Sequence, residues 1–379
     1  MTSACILTVN GTRIEAQRGM TVVDAALRGG IVIPTDCTSG QCETCRVRVV
    51  GGSIAGGESD VSRSVLACQA RISGHAEIRF DEMPLPSRRW GRVSSIEPLT
   101  PDIVEVRIDL DGALLWLPGQ YVKLTFQGYP SRDYSPTSPS HPSWRPSQLV
   151  FHIKVYPRGA VSSCLGGAIR IGHRVIIEGP FGGAFYRPGP TRLVLVGTTT
   201  GWAPLWAIAR AARLEEPDRP MRVVVGARRL QNLYMRDALK WLRKSGVGDL
   251  VLSCSGKDTG GPPDVRTGRT TDFLETITAD DTIYAAGAPA MVEAVKHMAA
   301  AAGAQCYADP FTASTTGRTF LGRLRQALET ADPDRLRPPQ ARISRSVSNA
   351  SSSRGLDRTR EPERFRGLTG GFARWLQGS

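Results

Sequence analysis

The chain has 379 residues, 41% of them hydrophobic, enough for two or three domain cores, and its eight cysteines are too few over that length for a disulfide scaffold. No apolar run approaches a membrane span, and the N-terminus "MTSACILTVNGTRIEAQ" turns polar too early for a signal peptide, so a cytoplasmic location is expected. The net charge is +13, but residues 315–379 hold 13 Arg against 6 Asp and Glu, so +7 lies in the tail; with no helix-turn-helix, zinc-finger or aromatic RNA-binding pattern, nucleic acid is not an expected partner.

Residues 1–84 read as a small β-rich module. "CILTVNGTRIEAQ" is a hairpin pattern around Asn10-Gly11. "TVVDAALRGG" reads as a short helix stopped by Gly29-Gly30, and "CRVRVVGG" as a strand ending in glycines. "EMPLPSRRW" is a Pro-containing linker. Residues 89–187 carry strand-like runs separated by turn residues, "GRVSSIEPL", "DIVEVRIDL", "YVKLTFQG", "LVFHIKVY" and "HRVIIEGPFG", which suggest an antiparallel barrel or sandwich.

From residue 188 to 314 strands alternate with helices. "TRLVLVG", "MRVVVGA", "LVLSCS" and "DTIYAAG" are strands; "WAPLWAIARAARLEE", "MRDALKWLRKSG" and "PAMVEAVKHMAAAAG" are helices. This alternation implies a doubly wound parallel sheet. Residues 315–379 lose periodicity, contain no Lys and are rich in Arg, Ser and Pro, the composition of a disordered tail. Within it "TFLGRLRQALE" could form a short amphipathic helix with Phe320, Leu321, Leu324 and Leu328 on one face.

The densest chemistry is in "CTSGQCETCR". Cys37, Cys42 and Cys45 follow a C-x4-C-x2-C spacing, and Cys68 follows in "VLACQA". This is plant-type [2Fe–2S] spacing, with three thiolates on a loop of small residues and a fourth arriving from elsewhere. A structural zinc site is the alternative, although Cys68 lacks the paired C-x2-C knuckle that zinc usually takes. A thioredoxin-like Cys42–Cys45 pair would open a helix, whereas a strand follows here. Cys5, Cys164, Cys254 and Cys306 read as ordinary small buried residues.

Further on come "RDYS" (Arg132 to Ser135), "GAVSSCL" (Gly159 to Leu165), "GPFGG" (Gly179 to Gly183) and the turn "GTTTGWAP" (Gly197 to Pro204). In this order, over residues 1 to about 314, the chain resembles the ferredoxin–NAD(P)+ reductase superfamily. More specifically it resembles reductase components of bacterial ring-hydroxylating dioxygenases, of the naphthalene dioxygenase type. The resemblance implies a β-grasp ferredoxin domain (1–84), an FAD-binding barrel (89–187) and an NAD(P)-binding α/β domain (188–314). It implies a [2Fe–2S] cluster on Cys37, Cys42, Cys45 and Cys68. Arg132 would pair with the FAD pyrophosphate, with Asp133 beside it. Tyr134 would stack on the isoalloxazine and Ser135 would lie near its N5. Gly159 and Ser162 would hold the pyrophosphate at a helix start. Gly197, Thr198 and Gly201 would form the turn for NADH, with NADPH also admissible; Arg228 would meet the adenosine end, and Gly287 would lie near the nicotinamide. Phe311, in "YADPF", would close over the flavin.

Departures from the family pattern are Glu43 in place of Gly, a charge expected to lower the cluster potential, Thr198 and Thr199 where Gly is frequent, Ala286 in place of Cys, and Asn232 where an acidic residue often takes the ribose hydroxyls. The implied activity is electron transfer from NAD(P)H through FAD and the cluster to a Rieske-type ferredoxin or terminal oxygenase, by a monomer. Open alternatives are a di-iron hydroxylase or nucleotide-sugar dehydrase as acceptor, or a redox sensor that keeps the cluster without NAD(P)H turnover.

Overall fold

The computed structural model describes residues 4–40, 42–58, 63–138, 147–256 and 262–312, and in it three sheets follow one another along the chain. The expected tail, residues 315–379, and its amphipathic stretch lie outside the described residues.

The first sheet contains β1 (Ala4–Val9), β2 (Thr12–Gln17), β3 (Arg46–Ala55), β4 (Ser64–Leu66) and β5 (Arg71–Arg79), in the order β2-β1-β5-β3-β4. Asn10 and Gly11, at φ 46° and 84°, make the tight hairpin turn that right-handed strand twist favours. β1 and β5 pair in parallel, so the chain must cross between them, and α1 (Val22–Arg28) packs on the sheet along that crossing. Thr21 caps α1, its hydroxyl accepting from Asp24 N–H at 3.1 Å. Leu7, Val22, Ala25, Ala26, Ile72 and Ile78 are essentially inaccessible and form the core of this β-grasp module. β3 runs past the glycines expected to end it. The register with β5 shifts there, and a side chain at Gly52 would meet His75 O at 2.1 Å, so these glycines make a bulge in a continuing strand.

The second sheet is wholly antiparallel: β6 (Ser87–Thr100), β7 (Ile103–Leu110), β8 (Tyr121–Phe126), β9 (Arg132–Tyr134), β10 (Gln148–Lys154) and β11 (Arg174–Phe181), in the order β10-β7-β6-β11-β8-β9. A bridge from Thr137 to Val150 brings the chain after β9 back to β10 and curls the sheet into a barrel. Alternate residues, among them Val106, Ile108, Leu124, Phe126, Phe151 and Ile177, fill it. The expected linker is shorter than its composition suggested, since β6 already begins at Ser87.

The third sheet is wholly parallel: β12 (Arg192–Thr198), β13 (Met221–Ala227), β14 (Asp249–Cys254), β15 (Val265–Thr267), β16 (Asp281–Gly287) and β17 (Gln305–Pro310), in the order β15-β14-β13-β12-β16-β17. α2 (Trp202–Glu215) and α3 (Arg236–Lys244) cover one face, against Leu193, Leu195, Val223 and Val225. α4 (Pro289–Ala302) covers the other, against Val194, Val196, Val224 and Ile283. The strand order reverses between β12 and β16. In a doubly wound sheet the crevice for a ligand opens beyond the carboxyl ends of the strands at that reversal.

Candidate functional site: a cavity where the three modules meet

The cysteine loop is irregular because its chemistry requires it. Thr38, Gly40 and Glu43 all adopt positive φ (54°, 84° and 53°), which turns successive backbone N–H groups inward. Cys42 N–H points at Cys37 Sγ (3.3 Å) and Cys37 N–H at Cys42 Sγ (3.4 Å). Backbone N–H groups of Ser39 and Gly40 reach Cys37 and Cys68. None of the four cysteines is in a disulfide. Cys37 pairs with Cys42 and Cys45 with Cys68, and within each pair the hydrogen bond draws one thiol down, Cys37 and Cys68 respectively. Among the described residues no three Cys, His, Asp or Glu side chains gather around one point. Two thiol pairs are the ligand arrangement a two-iron cluster takes. Cys5, Cys254 and Cys306 are buried, as expected; Cys164 is half-buried.

Glu43 stands where glycine would be unstrained. Its carboxylate is not bare beside the cysteines, as the sequence suggested, because Arg46 forms an ion pair with it in a largely buried setting. A neutralised carboxylate depresses the cluster potential less than a free one.

The loop lies against the barrel. Asp36, the residue before Cys37, accepts from Tyr121 Oη at 2.6 Å and from Lys123 Nζ at 2.9 Å. Thr44, the residue before Cys45, accepts from Gly182 N–H at 2.9 Å. Tyr121 and Phe181 form a small apolar contact with Val32 and Cys42. Arg187 links the three modules: its Nε meets Asp81 at 2.7 Å, and its guanidinium lies 3.7 Å from the Phe185 ring centre and 3.9 Å from that of Tyr307.

A cavity of about 920 Å³ opens between loop, barrel and third sheet. Cys37, Cys42 and Glu43 line it from the first module, Arg132 to Ser135 and Gly159 to Ser162 from the second, and Thr200, Asp309 and Phe311 from the third. The residues singled out for flavin therefore converge on one space, with two of the four cysteines on its wall. Tyr134 packs edge-on against Phe151, at 6.4 Å between ring centres, and burial pushes its phenol up to about 12, so it stays neutral. Ser135 Oγ donates to Asp309 Oδ2 at 3.1 Å. Burial lifts the Asp309 carboxyl to about 7, with Ser135 pulling against that and Asp133 and Glu43 adding to it. Phe311 is 38% exposed, an aromatic face left open at the cavity. Asp133 also faces the cavity, its carboxyl raised by burial and lowered in part by Lys123.

Gly159 and Ser162 differ from expectation in form. The only helical turn here is a single 3₁₀ turn, Ser162–Cys164, which Gly159 precedes, and the Ser162 hydroxyl accepts from Tyr156 N–H at 3.1 Å. Ser162 braces the loop, and a side chain at Gly159 would sit 2.3 Å from its Oγ. Gly159 to Ser162 line the cavity here, flanked by Arg158.

At the reversal of the third sheet, Gly201 and Gly287 are there for close approach. A side chain at Gly201 would meet Ala286 O at 2.2 Å, and one at Gly287 would meet Thr198 Oγ1 at 2.5 Å. Gly197 packs against Trp202 and Leu205. Thr198 Oγ1 accepts from Ala288 N–H at 3.0 Å. Thr199 sits at φ 52°, a conformation that a β-branched residue rarely adopts. Arg228 is exposed just beyond the carboxyl end of β13. Asn232 is not in this crevice as a free group: it is buried and donates its amide to Asp102 on the barrel. Asp36, Thr44, Tyr121, Lys123, Arg158 and Asp309 carry the geometry but were not singled out from sequence; their only signal was polarity flanking the cysteines and the strand ends.

The 2Fe-2S iron-sulfur cluster binding domain family matches residues 7–73, the oxidoreductase FAD-binding domain family residues 91–186, and the oxidoreductase NAD-binding domain family residues 195–297. The chain is 32% identical over 324 residues to the naphthalene 1,2-dioxygenase system ferredoxin–NAD(P)+ reductase component of Pseudomonas putida, covering 80% of this chain and 96% of that protein. It is 29% identical over 310 residues to the propane 2-monooxygenase reductase component of Mycolicibacterium smegmatis, covering 74% and 88%. Among solved structures it superposes on the Amycolatopsis cytochrome P450 reductase with a TM-score of 0.60 and 28% identity, over 82% of this chain and 100% of that one. The chain is an oxidoreductase and belongs to the ferredoxin–NAD(P)+ reductase family of oxygenase reductase components, which join [2Fe–2S], FAD-binding and NAD-binding domains in one polypeptide.

Proposed function

We propose that the chain takes reducing equivalents from NADH, and also from NADPH, and delivers them one at a time to a Rieske-type ferredoxin or the terminal oxygenase of an aromatic-ring dioxygenase. The observation that carries this reading is the cavity shared by all three modules, lined by Cys37 and Cys42 as well as Tyr134 and Ser135. FAD, when bound there, supplies the conversion of a two-electron hydride into single electrons.

The residues then have distinct tasks. Arg132 would offer a guanidinium fork to the pyrophosphate, and Gly159 to Ser162, which line the same cavity, would lie against that anion. Tyr134 would present its ring to the flavin, and Phe311, an exposed aromatic at the cavity, would lie against it. Ser135, fixed by Asp309, holds a hydroxyl at the flavin edge. Gly197, Thr198, Gly201 and Gly287 shape the nucleotide crevice; Arg228 stands at its adenosine end. Cys37, Cys42, Cys45 and Cys68 would hold the cluster, with Cys37 and Cys42 on the cavity side. The modules divide near residues 84 and 188, and the working form is a cytoplasmic monomer. No helix among the described residues is long and apolar enough to cross a membrane. An oxygenase acceptor is favoured because the relatives serve a dioxygenase, a monooxygenase and a cytochrome P450.

Cys68→Ser tests the relay. NADH-dependent reduction of cytochrome c, a one-electron acceptor, should fall at least tenfold, while reduction of ferricyanide directly from the flavin survives. Equal loss of both, or zinc without iron in the purified protein, contradicts the assignment.

A further inference from the structure

Thr44 stands between barrel and cysteines. It is 2% exposed and does two things at once. Its oxygen accepts from Gly182 N–H, in the turn after β11, at 2.9 Å, and its hydroxyl donates to Cys42 Sγ at 3.1 Å. A hydroxyl has one hydrogen and two lone pairs. With the barrel N–H on a lone pair, the hydrogen is aimed at sulfur, and the incoming donor polarises the O–H and strengthens the outgoing bond. Among the described residues, the other donor to this sulfur, Cys37 N–H, belongs to the loop itself. Of the two, only the Thr44 bond depends on where the barrel sits.

The seating is close. A side chain at Gly183 would meet Glu43 O, next to Thr44, at 2.6 Å. On the opposite flank Asp36 is held by Tyr121 and Lys123. Loop and barrel therefore meet through the residues directly preceding Cys37 and Cys45.

We propose that Thr44 is a positioning residue that couples the seating of the cysteine loop on the flavin barrel to the ease of reducing the cluster. The inference rests on the ligand set Cys37, Cys42, Cys45 and Cys68 proposed above. Reduction moves one electron from reduced flavin onto one iron, and the negative charge on the sulfurs grows. A donor aimed at Cys42 Sγ stabilises that state more than the oxidised one. The proton stays on Thr44 throughout. Seating favours filling the cluster; unseating frees the hydroxyl and favours passing the electron on.

The test is a redox titration of full-length holoprotein, followed by the EPR signal of the reduced cluster. Thr44→Val removes the hydroxyl and keeps the shape. At the potential where the wild-type cluster is half reduced, its ratio of reduced to oxidised cluster should fall about tenfold. Thr44→Ser should keep the wild-type ratio. Gly183→Ala, which leaves Thr44 and all four cysteines intact, should lower the ratio in the same direction, and combining it with Thr44→Val should add nothing further. A wild-type ratio in Thr44→Val with full iron content, an equal loss in Thr44→Ser, or a wild-type ratio in Gly183→Ala overturns the coupling. If Thr44→Val loses its cluster, Gly183→Ala alone decides. Wild-type protein without the EPR signal overturns the ligand set and the coupling together.

Discussion

Replacing Asp309 with Asn removes one half-buried ionisable group on the cavity wall and little else. Asp309 lies on β17 at the cavity, and burial lifts its carboxyl from 3.8 to about 7, against the pull of the Ser135 hydroxyl. Its folded value is above its unfolded one, so the folded state holds the proton more tightly. The stability this contributes is complete below about pH 4 and is lost as pH rises through about 7. A lift from 3.8 to about 7 corresponds to about 4 kcal/mol once ionisation is complete, of which about 2 kcal/mol is lost between pH 5.5 and 8.5. Asn keeps an acceptor oxygen for Ser135 and cannot ionise. Urea unfolding of wild type and Asp309→Asn, followed through the buried tryptophans of α2, should show the wild type losing about 2 kcal/mol more than the variant between those two pH values. Parallel pH dependence in the two proteins would refute the reasoning.

Thr199→Gly should relieve the left-handed strain at φ 52° and raise stability by about 1 kcal/mol, read as a higher Tm, with a lower KM for NADH as the turn admits closer backbone approach. Asn232→Asp should leave the NADH/NADPH ratio of kcat/KM unchanged, contrary to what a ribose-binding position implies. It places a carboxylate against Asp102 in a buried contact and should cost about 1–3 kcal/mol in thermal unfolding; a ratio tilted toward NADH would return Asn232 to the nucleotide site.

The hairpin at Asn10-Gly11, the alternation of helices and strands after residue 188 and the cysteine spacing were legible because each is encoded within a dozen residues or in one steric requirement. The residues around Arg132 and Gly159, and Thr200 and Pro204 after Gly197, line one cavity. What was not legible lies between residues distant in sequence. Asp36 finds Tyr121 and Lys123, Thr44 finds Gly182, and Ser135 finds Asp309 only after three modules have docked. The sequence offset of Asn232 fits a nucleotide site; that the fold gives its amide to Asp102 is a contact between residues distant in sequence. The glycines in β3 looked like a terminator; a bulge and a strand end require the same positive φ, and only the partner strand tells them apart.

The central claim is that electrons cross from the flavin to the cysteine-bound cluster within this one chain. Anaerobic stopped-flow mixing of holoprotein with NADH, with freeze-quench EPR on the same time base, tests it most directly. Flavin bleaching should come first, followed by the signal of a reduced [2Fe–2S] cluster in the wild type, with bleaching alone in Cys68→Ser. A cluster that stays oxidised in the wild type while the flavin is fully reduced would contradict the account.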